Sequence, residues 1–116
     1  MPTTALTATT TPSGYSETGQ AITFTAADVA NGNHIDSADN IFVVARNVHV
    51  STAYTVTITS QPDSTTGRTG DVDAVSVAAG TATLFQLQSD GWSDSNSQYL
   101  INANNTSIEF AWWPKR

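Results

Sequence analysis

IFVVARNVHVSTAYTVTITS, residues Ile41 to Ser60, is the stretch that decides the fold. Its first five residues, Ile41 to Ala45, form an unbroken apolar run, which reads as a strand covered on both faces. From Tyr54 the chain alternates, with Tyr54, Val56 and Ile58 on one side and Thr55, Thr57 and Thr59 on the other. A period of two belongs to a strand with one buried face and cannot gather those side chains on one side of a helix. Arg46 and Asn47 open a short polar break between the runs. The expectation is an antiparallel pair at the centre of a β domain.

The same pattern extends outward. Gln20 to Ala26 alternates, with Ile22 and Phe24 sharing a face, and predicts a first strand. Asn31-Gly32 marks a turn in the polar stretch that follows. Beyond the central pair, Pro62, Gly67 and Gly70 predict an exposed loop over Gln61 to Asp71. Val72 to Ala78 alternates with Val75 and Val77 on one face, and Ala78-Ala79-Gly80 makes a tight connection. Thr81 to Gln88 follows with Phe85 and Leu87 inward. After a loop holding Trp92, Gln98 to Asn102 and Thr106 to Trp113 close the domain as a hairpin around Ala103-Asn104-Asn105. Short strands at this spacing, with no apolar helical period, predict an all-β fold: an antiparallel β-sandwich or small barrel, jelly-roll-like. Residues 1–16, uncharged and rich in Thr, are expected to form an extended or flexible N-terminal arm before a single domain over residues 17–116.

With 116 residues the chain has room for one core. Charged residues are only 12%, about half the usual share, and Thr, Ser, Asn and Gln take their place. So few charges fit a surface covered by neighbours in an assembly. The net charge of -6, with four basic residues in all, argues against nucleic acid or an anionic membrane as the main partner. No residue is Cys, so neither a disulfide framework nor a thiolate metal site is expected. The opening residues lack the pattern of a secretory signal, and the chain reads as soluble.

Recognisable catalytic chemistry is missing. No serine stands in a nucleophile elbow, and His34 and His49 lack a third histidine for zinc. Asp71 with Asp73, Asp90 with Asp94, and Asp36 with Asp39 are conceivable calcium ligands, but they equally suit turn capping. No cofactor is expected. The aromatics say more. By the phase of Ile108 and Phe110, Trp112 points inward and Trp113 outward, which suits an interface. Candidate contact residues are Thr3, Thr4, Leu6, Thr7, Thr9 and Tyr15 in the arm, Trp92, and the tail residues Trp113, Lys115 and Arg116.

The order of segments resembles the decoration, or cement, proteins of tailed-phage heads. The matching parts are TTALTATTTPSG, AADVANGN, IFVVARN, YTVTITSQ, AVSVAAGTATLFQL and SQYLINANNTSIEFAWW, spanning nearly the full length. That resemblance implies a non-enzymatic virion protein on the capsid exterior that bridges major capsid protein subunits. It further implies a homo-oligomer, with a trimer about a local symmetry axis as the expected form. The main rival is a carbohydrate-binding module in which Trp92, Trp113 and Tyr99 stack on sugar rings; a low-copy head-tail or tail component is another.

Overall fold

The computed structural model describes residues 3–9, 21–37, 39–62, 67 and 70–114. These carry nine strands: β1 (Thr4–Ala5), β2 (Thr25–Ala26), β3 (Asn33–Asp36), β4 (Ile41–Asn47), β5 (Tyr54–Thr59), β6 (Val72–Val77), β7 (Ala82–Leu87), β8 (Gln98–Ala103) and β9 (Ile108–Pro114). A five-stranded sheet has the order β1-β3-β8-β5-β6, and a four-stranded sheet the order β2-β9-β4-β7. From β2 onward the chain behaves as one long ribbon folded back on itself. β2 pairs with β9, β3 with β8, β4 with β7 and β5 with β6, and successive pairs go to alternate sheets. That is the jelly roll, a β-sandwich as the alternation predicts.

Two local pairings expected from the sequence are corrected. β4 and β5 are not paired; they lie in opposite sheets, and β4 runs between β9 and β7 instead. The polar break between them is a corner. Its pivot is Asn47, buried at 2% exposure, whose Nδ2 donates to the carbonyls of Thr52 (2.8 Å) and Val77 (2.9 Å). Asn47 Oδ1 accepts the His49 amide, so the side chain supplies the hydrogen bonds that a chain leaving its sheet would lack. β8 and β9 are likewise no hairpin, because the turn at Ala103-Asn104-Asn105 carries the chain from one sheet to the other. Among the described strands, β5 and β6 alone form a hairpin within one sheet. A bulge between Val56 and Ile58 fits it to the curvature, with Ala74 at φ 51.

The core lies between the sheets. Ile41, Val43 and Ala45 from β4 meet Val56 and Ile58 from β5, with Ile35, Tyr99, Ile101, Ile108, Phe110 and Trp112. All are buried, and the even-numbered residues of β4 point the other way. The strand expected at Gln20 to Ala26 is short, and its Ile22/Phe24 face is turned away from the core: Ile22 is 48% exposed.

Residues 3–9, placed by the sequence in an arm, run along their own domain. β1 adds parallel to the β3 edge, and the Leu6 amide donates to the His34 carbonyl. Leu6 enters the core, Trp112 Nε1 donates to the Leu6 carbonyl at 3.1 Å, and the Thr9 amide donates to the Trp112 carbonyl. This strap closes the side of the sandwich where β2 is too short to cover β9. Gly32, whose carbonyl accepts the Thr4 amide, has a φ of +77 and lies so close to the Asn102 side chain of β8 that a Cβ there would clash with its Oδ1.

Candidate functional site

The predicted contact residues do not converge on one surface. Leu6 and Thr9 are buried within their own domain, and Thr7 is exposed between them. Thr3 Oγ1 is 2.6 Å from His34 Nδ1, and Thr4 Oγ1 donates to Asp28. That hydrogen bond, with those from Asn31, holds the Asp28 carboxyl below its ordinary pKa. Trp92 sits in a single distorted turn, Ser89–Trp92, half-buried and packed against the core. Trp113 points outward as predicted, its ring centroid 6.0 Å from that of Phe42. Tyr15, Lys115 and Arg116 lie outside the described residues.

Tyr99 is a core residue and not a stacking group for sugars. It has no exposed surface, and its hydroxyl donates to the Asp39 carbonyl at 2.6 Å. Burial, reinforced by the Asp39 charge, pushes its pKa up to about 12. Of the carboxylates considered for calcium, Asp71 and Asp94 hold loop amides. Asp71 accepts from the amide and hydroxyl of Ser60, and Asp94 from the amides of Asn96 and Gln98. Asp36 lies beside His34 and accepts from Gln98. His49 Nδ1 accepts the amides of Ser51 and Thr52, capping the corner after β4. Among the described residues, no group of three metal-ligating side chains is assembled.

What the structure does assemble is a two-faced sandwich. The outer face of the five-stranded sheet is polar, built from Thr55, Thr57, Thr59, Asn102, His34 and Asp36 around Leu100. The outer face of the four-stranded sheet is apolar. In register across β9, β4 and β7 stand Ala111, Val44 and Leu84, and in the row beside them Trp113, Phe42 and Gln86. Phe24 joins them, its ring 3.7 Å beneath the Arg46 guanidinium. Arg46 and Glu109, the ionised groups among the described residues of this face, neutralise each other at 2.6 Å. Antiparallel sheets ordinarily turn polar side chains to water on their outer face, so this one is the exception that needs a reason.

The ends of the sandwich are sorted as well. Connections 27–32, 48–53, 78–81 and 104–107 share one end, which presents Val29 (46% exposed), Val48 (50%) and Val50 (94%). Asp28 is its one carboxylate, and no Lys or Arg lies in these loops. Strands β3, β5 and β7 end, and β4, β6 and β8 begin, at the other end, where the described residues include Asp39, Asp71, Asp90 and Asp94, with Asp36 and Asp73 adjoining. Asp63, Arg68, Lys115 and Arg116 lie outside the described residues. Sequence reading missed both apolar surfaces. Their signals were the two-sided apolar run of β4 and the out-of-phase Leu84 in TATLFQLQ.

Comparison with protein-family models, with curated proteins and with solved structures finds no match to this chain.

Proposed function

We propose that this chain is a non-enzymatic structural protein of a tailed-phage head. It binds the outside of the capsid as a homo-oligomer and stabilises contacts between major capsid protein subunits. The observation that carries the reading is the sorting of the two ends. An end with exposed valines and a single carboxylate opposes an end whose described charges are all acidic, which is how a molecule that lies on a surface in one orientation is built. Val29, Val48 and Val50 desolvate against the shell, while the acidic end faces solvent and keeps coated particles apart by like-charge repulsion. Binding to the assembled shell and not to its dissociated subunits stabilises the shell by mass action, and repetition over many sites multiplies modest contacts.

The test is the copy number of this chain in purified particles, by quantitative mass spectrometry against the major shell protein. A ratio matching the hexamer or threefold positions is expected, and a handful of copies would move the chain to the neck or tail. Val50→Asp, at a nearly fully exposed position, is expected to lower occupancy at least ~10-fold, whereas Ser95→Glu at the acidic end leaves it unchanged. Absence from particles would overturn the reading.

A further inference from the structure

We infer that His49 holds the loop at residues 48–53 as a preformed apolar anchor only while its imidazole is neutral, so that mild acid loosens this chain's grip on the surface its valine end meets. The inference rests on the docking role given to the valine end above. It adds what positions that end and what releases it.

The loop is built around one side chain. Of residues 48–53, His49 alone is partly buried, and the other five are exposed. Its ring packs against that of Tyr54 at the start of β5, the centroids 5.5 Å apart and the planes at 85°. From that position Nδ1 accepts two backbone amides, those of Ser51 at 3.1 Å and Thr52 at 3.0 Å. Asn47 closes the same loop from its other side. Its Oδ1 accepts the His49 amide at 2.9 Å, and its Nδ2 donates to the Thr52 carbonyl at 2.8 Å. The Val48 amide is tied across to the Ser107 carbonyl at 3.0 Å. Between these ties Val50 projects, 94% exposed, with Val48 near it at 50%. A side chain fixed in place before contact loses little freedom on binding, and a preformed loop gains affinity for that reason.

The two accepted amides decide the protonation state of the ring. They share the lone pair of Nδ1, so the proton of the neutral imidazole sits on Nε2. A second proton has only Nδ1 to go to. It turns the acceptor into a donor aimed at two other donors, both hydrogen bonds are lost, and the ties of Asn47 and Val48 are left to hold the loop. The closed loop needs the neutral ring. Its hold is therefore present above the ordinary histidine range, about pH 6.5, and is lost as the pH falls below it. Among the described residues, Tyr54 is the titratable group packed on the ring. Asp28, the carboxylate of this end, is engaged by Thr4 and Asn31, and Arg46 is paired with Glu109 on the outside of the four-stranded sheet.

Nuclear magnetic resonance of the free full chain tests the gate with no shell present. The His49 ring is expected to carry its proton on Nε2 at about pH 7.5, and the Ser51 and Thr52 amide signals to shift together with the ring as the pH is lowered to about 5. His49→Ala removes the cap and is expected to weaken binding to shells assembled without this chain roughly 10-fold, at the higher and the lower pH alike. His49→Asn is the rescue, because a carboxamide oxygen at this position accepts the same two amides as an Asx-turn does and does not titrate. It is expected to regain most of the binding lost in His49→Ala and to keep it in acid, where the wild type weakens roughly 10-fold. Any acid response left in the Asn variant belongs to His34 or to another group. A proton on Nδ1 at the higher pH, loop amides indifferent to the titration of the ring, or a full acid response surviving in His49→Asn would each overturn the inference. Shells that bind no wild-type chain at either pH would overturn the docking role and the release with it, and the loop signals of the free chain would then judge the gate alone.

Discussion

At the residue scale, a few polar side chains hold turns that apolar burial leaves unspecified. Asn47 ties the β4–β5 corner to the β6–β7 corner, since its side chain reaches Thr52 and Val77 while its backbone pairs with Gly80 and Thr81. Asn47→Ala would leave the His49 amide and two carbonyls without partners in a buried site. The expected loss is about 2–4 kcal/mol, read as a fall in the urea midpoint. Tyr99 sets a pH limit. Its folded pKa, raised to about 12, exceeds the unfolded value near 10, so its contribution is complete below about pH 10. It is lost as the pH rises from there through 12, because the unfolded chain ionises first. Urea midpoints across that range are expected to fall for the wild type and to stay flatter for Tyr99→Phe, which also loses about 1 kcal/mol with its hydrogen bond near pH 8. Neither role was legible in the sequence. Asn47 read as an ordinary polar break, and Tyr99 as one of several aromatics open to stacking.

At the element scale, the longer strands were legible, β1 and β3 were not, and neither were the pairings. Alternation in YTVTIT and SIEFAWW placed the inward residues correctly, including Trp112 inside and Trp113 outside, because side-chain phase is a local property of extended backbone. Pairing is a long-range property. Two neighbours with a short connection, β4–β5 and β8–β9, read as pairs, yet each divides between sheets, as β6–β7 does across its tight connection. The strap at residues 3–9 carries a prediction of its own. Few backbone hydrogen bonds hold so short a parallel strand, so Leu6 in the core provides most of its anchorage. Leu6→Ala is expected to cost about 2–4 kcal/mol and to shift tryptophan emission to the red as Trp112 meets water. Unchanged stability would mean that the strap is not held by its side chain.

At the scale of the whole molecule, the ribbon topology brings Thr25 beside Phe110 and sorts connections into two groups at opposite ends. Six carboxylates, Asp36, Asp39, Asp71, Asp73, Asp90 and Asp94, are thereby placed at one end, and the exposed valines of two loops at the other. The same topology makes IFVVA a central strand, its odd-numbered residues buried between the sheets and its even-numbered ones partly covered on the other side. The sequence by itself determined that the chain is all-β, where its longer strands lie, which side chains of β4, β5 and β9 turn inward, and that its charge is low and acidic. These follow from period, propensity and composition, each read within a few residues. Tertiary structure alone decided which strands pair, which sheet face stays apolar, and which loops share an end. Those outcomes depend on contacts between residues far apart in the chain, and alternation along a strand is the same whichever sheet the strand joins.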